Sequence, residues 1–187
     1  MSAIEYSLIF LSILIGYVVT VAMVGWGKLI KHYDFNKFSL NYLLWSLILF
    51  LYLLFIWFWT FSYHLGYLNS YFWFTLIMVR PLLIYFSFEV LIPENHESNL
   101  EEHFLKVRKK FFLILTILWS YEIFLTLLQG HSLNTSRGMI YFANIPISVS
   151  FILTKNKTYI SAATIISFLI MVIFVCELLV SQYYGIH

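Results

Sequence analysis

Arg80 stands in the middle of one long apolar stretch, and Glu122 stands at a matching place in another. An unpaired Arg at the centre of a bilayer costs about 2.5 to 3.5 kcal/mol on insertion scales, so such a residue is expected to face a bundle interior and to have a partner. At a rise of 1.5 Å per residue, Arg80 lies roughly 2 Å outside the midpoint of its stretch and Glu122 roughly 3 Å outside the midpoint of its own. The shared depth predicts an Arg80–Glu122 ion pair, because either residue alone is an uncompensated buried charge. Thr126 and Gln129 follow Glu122 at i+4 and i+7, and Glu177 and Glu5 belong to the same outer half of the chain. With Asn144, which precedes a proline in the fifth stretch, these residues outline a polar pocket or narrow ion path opening outward. In the alternative reading, Arg80 and Glu122 lock the bundle while Glu5 and Glu177 simply reach the outer interface. Glu89 falls on the opposite face from Arg80 and near the other end, where Lys106 or Arg108 would answer it.

Other chemistry has no foothold. The six histidines include no pair at HxxxH spacing, the one cysteine is Cys176, and there is no Gly-rich phosphate loop and no GxSxG elbow. No metal, no cofactor and no enzymatic activity are therefore expected. His103 and Glu102 beside Arg108 read as a solvated basic face rather than as a hydrolytic group. A formal charge of +2 is too small to suggest a nucleic-acid-binding surface.

The elements that must position these groups follow from composition. Of 187 residues 61% are hydrophobic and 11% charged, with a mean hydropathy of +0.86; an average soluble domain has roughly 45–50% and about 25%. A soluble globular domain and a disordered chain are both excluded, and lipid is the main solvent. A span takes about 20 mostly apolar helical residues, and six runs qualify: 4–27, 40–63, 71–92, 111–129, 138–154 and 159–181. They are apolar all round rather than alternating, which reads as helices and not as barrel strands. The expected fold is a single all-α transmembrane domain of six helices. The first run carries Glu5 and lacks a basic leader and a small-residue cleavage site, so it is expected to remain as helix 1.

Basic residues set the orientation. Lys28, Lys31 and Lys37 follow the first run, Lys106, Arg108, Lys109 and Lys110 follow the third, and Lys155 and Lys157 follow the fifth, whereas Arg137 is alone on the other side. The odd loops are therefore expected in the cytoplasm and both termini outside. In the longest loop, Ser98 with Glu101 reads as a capping box opening a short amphipathic cytoplasmic helix over about 99–110, whose basic end lies at the lipid headgroups or meets a partner. Ser12, Gly16 and Thr20 form a small-residue ridge on helix 1, suited to packing in one bundle or between copies. Pro81 removes the donor to the Ile77 carbonyl, which predicts a kink and a carbonyl in need of a partner. Pro146 in the short fifth run reads as a tolerated bend.

Glu5-Tyr6 leading into an apolar helix, Arg80-Pro81-Leu82-Leu83 with Pro93 closing that helix, and Glu102-His103-Phe104 leading to Lys109-Lys110-Phe111-Phe112 resemble a widespread family of small, uncharacterised multi-pass bacterial membrane proteins. The resemblance covers most of the chain and implies its fold without an activity. Phe111 stands where Trp often follows the two basic residues in that family. The chain is also similar, in size and number of spans, to the small membrane accessory proteins encoded beside type VI CRISPR effectors, which would imply an RNA-guided ribonuclease as partner. The leading expectation is a non-enzymatic, homo-oligomeric protein of the bacterial inner membrane, built around the polar pocket. A second is an accessory or defence protein docking a cytoplasmic partner through Lys106, Arg108, Lys109 and Lys110. A third is a small transporter.

Overall fold

A computed structural model describes residues 3–32, 39–63, 67–93, 99–133, 136–154 and 156–183. The described residues form α1 (Ala3–His32), α2 (Leu40–Tyr63), a 3-10 turn (Tyr67–Asn69), α3 (Tyr71–Leu91), α4 (Leu100–Leu128), α5 (Ser136–Leu153) and α6 (Lys157–Tyr183). Five of them, α1 to α4 and α6, are long and apolar enough to cross a membrane, and α5 has a shorter apolar stretch, Gly138–Leu153. Large apolar side chains such as Ile13, Phe72, Leu113, Phe142 and Ile173 are exposed along every side of the bundle. In water such a surface would aggregate; against acyl chains it is the expected outside of a multi-pass membrane protein.

Local chemistry sets the helix ends. Asn99, not Ser98, caps α4: its Oδ1 accepts from the Glu101 backbone N–H at 3.0 Å. The expected capping box fails because the Glu101 carboxylate is turned to Ser39 and Asn41 instead; Ser98 lies outside the described residues. The expected short helix and the fourth span are one unbroken helix of 29 residues, because nothing between Glu101 and Phe111 interrupts the pattern of buried positions. At the far end Gly130 adopts φ +74°. Its N–H donates to the Leu127 carbonyl at 3.0 Å and that of His131 to Thr126 at 3.1 Å, the paired bonds that close a helix at a left-handed residue. Asn156 Oδ1 likewise accepts from Thr158 and Tyr159 at the start of α6.

Contacts at the two ends show that successive helices alternate in direction. At one end Gly25 of α1 meets Ile92 after α3, Asn41 of α2 meets Ser161 of α6, His103 of α4 meets the Leu91 carbonyl, and Tyr159 meets Ser150. At the other, Ser7 of α1 donates to Leu68 in the 3-10 turn. The first end carries exposed Lys28, Lys31, Lys106, Lys109, Lys110 and Lys157 and is called the basic end below. Trp45 of α2 organises its core: edge-on to Phe112 of α4 (centroids 4.9 Å apart) and Phe151 of α5 (5.8 Å), it donates Nε1–H to Thr164 of α6 at 3.1 Å. Phe112 and Phe151 stack at 4.2 Å.

The small-residue ridge of α1 is not used inside the bundle. Gly16 and Thr20 are exposed, Ser12 is half-buried, and a Cβ added at Gly16 would meet nothing within 4 Å. Spacing alone does not say which face of a helix turns inward. The close approach is made at Gly25, where a Cβ would stand 2.5 Å from Ile92 Cδ1. Gly25→Leu should therefore lower the thermal midpoint of the detergent-solubilised protein, by the equivalent of about 1–3 kcal/mol of overpacking. Gly16→Leu should leave that midpoint unchanged.

Candidate functional site

The inward stripe of α4 holds the polar centre. Residues at intervals of three and four place Phe104, Arg108, Phe111, Leu115, Trp119, Glu122 and Leu125 in one buried face. Glu122 Oε2 pairs with Arg80 Nη2 of α3 at 2.9 Å, with side-chain exposures of 1% and 6%. The pair is surrounded by aromatic side chains from three helices, α2, α4 and α5. Tyr52 of α2 lies beside both Glu122 and Arg80, as do Tyr121 and Tyr141 beside Arg80. Trp119 packs edge-on to Tyr52 (4.9 Å) and parallel to Tyr141 of α5 (6.2 Å).

Hydrogen bonding at this centre is incomplete. Arg80 Nε, Glu122 Oε1, Tyr52 Oη and Trp119 Nε1 are all sealed from the surface and none makes a well-formed hydrogen bond, although the Tyr52 hydroxyl faces Glu122. The unused polar atoms thus comprise three donors and a carboxylate acceptor, grouped around one neutral ion pair. Other buried atoms along the bundle, among them Thr60 Oγ1, Ser148 Oγ and Ser167 Oγ, are unbonded as well, but they are not grouped around an ion pair.

The remaining polar residues singled out from the sequence separate into two sets. Thr126 donates to the Glu122 carbonyl at 2.7 Å, and Asn144, also buried, donates to the Ile140 carbonyl at 2.9 Å. Gln129 caps α4 and its Nε2 is another unbonded buried donor. Glu5 and Glu177, in contrast, lie on exposed faces of α1 and α6, so the four ionisable groups are not gathered into one buried set. Glu89 is exposed as well and neighbours Tyr85 one turn away; it forms an ion pair with neither Lys106 nor Arg108. Within the basic stretch, Lys106, Lys109 and Lys110 are exposed, but Arg108 is buried. Arg108 turns inward, away from the exposed lysines, by helix geometry: it stands fourteen residues before Glu122 and therefore on nearly the same face.

Two features escaped the sequence reading. The Tyr121 hydroxyl donates to the Leu76 carbonyl at 2.7 Å, one residue before the carbonyl that Pro81 releases. α3 runs through Pro81 without interruption. At the basic end, Glu101 accepts from the Ser39 hydroxyl and, at 3.3 Å, from Asn41 Nδ2, which also donates to Ser161 at 3.2 Å. Ser39 itself receives the Tyr42 N–H, capping α2. One carboxylate thereby ties the first turns of α2 and α4, with α6 joined through Asn41. The available signal was that Ser39, Asn41 and Glu101 all sit in opening turns at the same end of the bundle.

No family model matches the chain, and no curated protein or solved structure does either.

Tyr121→Phe should cost about 0.5–1.5 kcal/mol, the net value of one hydrogen bond, and Glu101→Ala about 1.5–3 kcal/mol for bonds to a charged group. Reversible unfolding in mixed micelles measures both; equal stability of all three proteins would contradict the assigned bonds.

Proposed function

We propose that the protein is a non-enzymatic six-span protein of the bacterial inner membrane, with its basic end in the cytoplasm. Its polar centre serves as a narrow, hydrated ion path. The supporting observation is the group of four buried atoms around the Arg80–Glu122 pair that lack a well-formed hydrogen bond. An unsatisfied buried polar group costs about 1–3 kcal/mol, so four in one place call for water or an ion to complete them. The salt bridge is neutral and therefore does not bind a lone cation or anion strongly. Its unused donors and carboxylate acceptor suit water molecules, and a water chain touching a carboxylate and a tyrosine carries protons. The proton is accordingly the ion assigned to the path. Gln129, the C-cap of α4 with an unbonded Nε2, lies two turns beyond Glu122 toward the outer end and extends the polar line. The reading counts α5 as the sixth span, which is supported by its 18 residues rising about 27 Å, close to the roughly 30 Å of hydrocarbon.

In liposomes carrying an internal pH dye, the purified protein should speed collapse of a proton gradient when potassium and valinomycin hold the voltage. Tyr52→Phe keeps the ring packing and removes one unused polar atom, and it should slow that collapse several-fold. Dye traces identical to those of empty liposomes would overturn the reading.

Orientation has its own test. In a Cys176→Ser background, an impermeant maleimide should label Tyr71→Cys and not Lys110→Cys in intact spheroplasts; the reverse pattern would invert the assignment.

A further inference from the structure

α4 carries a second buried arginine. Arg108 is 7% exposed, its Nε is sealed from the surface without a partner, and among the described residues no carboxylate pairs with it. A guanidinium cannot shed its charge in a protein, so burial leaves it needing an anion. The nearest candidates within the bundle are engaged or turned away. Glu101 lies on the same stripe two turns earlier and is held by Ser39 and Asn41. Glu102 and Glu89 are exposed.

Its position in the helix indicates the class of ligand. Arg108 stands three residues before Phe111, where the fourth apolar run begins, which is headgroup depth on the basic side. Lys106, Lys109 and Lys110 are exposed around the same turns and raise the local concentration of anions. The planar fork of an arginine matches two oxygens of a phosphate, whereas lysines act as point charges that attract without orienting. The aromatic side chains flanking Arg108 on its stripe, Phe104, Phe111 and Phe112, are fully buried and hold the arginine stem in place.

We propose that Arg108 anchors a phosphate-binding site at the basic end of the bundle, filled by the phosphate of an anionic lipid headgroup or by a free phosphate. The site is separate from the Arg80–Glu122 centre and does not depend on conduction there.

The test uses the full chain in two arms, each read by the thermal midpoint. In zwitterionic detergent it is titrated with inorganic phosphate against chloride at matched ionic strength. In phosphatidylcholine nanodiscs it is titrated with phosphatidylglycerol, and native mass spectrometry counts the retained lipid. A saturable rise in the midpoint is expected in at least one arm, and which arm responds identifies the source. Arg108→Gln should weaken the response about tenfold, equivalent to about 1.4 kcal/mol. Arg108→Lys keeps the charge and protects the fold but lacks the fork; it should also bind more weakly. Lys109→Gln with Lys110→Gln should change affinity only about twofold, as exposed charges do. The proposal is overturned if the wild type responds in neither arm, or if it responds equally with and without the arginine. It is also overturned if Glu94→Gln with Glu97→Gln destabilises the protein as Arg108→Gln does and phosphate has no effect, since the partner would then be the chain's own carboxylate.

Discussion

A guanidinium and a carboxylate taken out of water must remain together, because separating them leaves two charges that the interior cannot solvate. In this bundle that requirement falls on Arg80 and Glu122, and it sets how α3 and α4 lie against each other. A slip of one helical turn, about 5.4 Å, would part the 2.9 Å contact. The neighbouring contacts are consistent with that register. Tyr121, next to Glu122 in sequence, reaches back to α3 at the Leu76 carbonyl, beside the point where Pro81 weakens the helix. Tyr52 and Tyr141 bring α2 and α5 to the same level.

Two different chemistries share the length of the bundle. Toward the basic end, Trp45 and the Phe112–Phe151 stack form an apolar layer whose one polar atom, the indole nitrogen, is satisfied by Thr164. Beyond it, at the level of Trp119 and Glu122, unsatisfied polar atoms accumulate. Native interiors leave few such groups, and four of them stand around the one buried ion pair among the described residues. The aromatic layer stands between the polar centre and the Glu101 cluster and keeps the two apart.

Much of the architecture was legible in residue order. Long runs apolar on all sides can satisfy their backbone in lipid only as helices, and a constant rise per residue places Arg80 and Glu122 at one depth before any coordinates are known. Rotation about a helix axis was harder to read. Ser12, Gly16 and Thr20 share a face by spacing, yet nothing in the spacing says that this face looks outward while Gly25 takes the close contact. Hydropathy groups Arg108 with the lysines because it registers a charge and not its direction. The angular relation to Glu122 was present in the numbering and would have placed it inside. Local spacing gives Glu101 to its own helix cap, although its partners, Ser39 and Asn41, stand at the start of another helix 60 and more residues away. Pairings of that kind depend on which helices touch, and one chain read alone does not carry that information.

The claim on which the rest depends is that Arg80 and Glu122 are held by each other. A double-mutant cycle with Arg80→Met, Glu122→Leu and the combined variant, read as unfolding free energy in mixed micelles, tests it most directly. Each single replacement should cost about 3–5 kcal/mol by stranding the other charge, and the double variant should cost far less than the sum. Costs that simply add would mean that the two charges do not depend on one another, and would contradict the account.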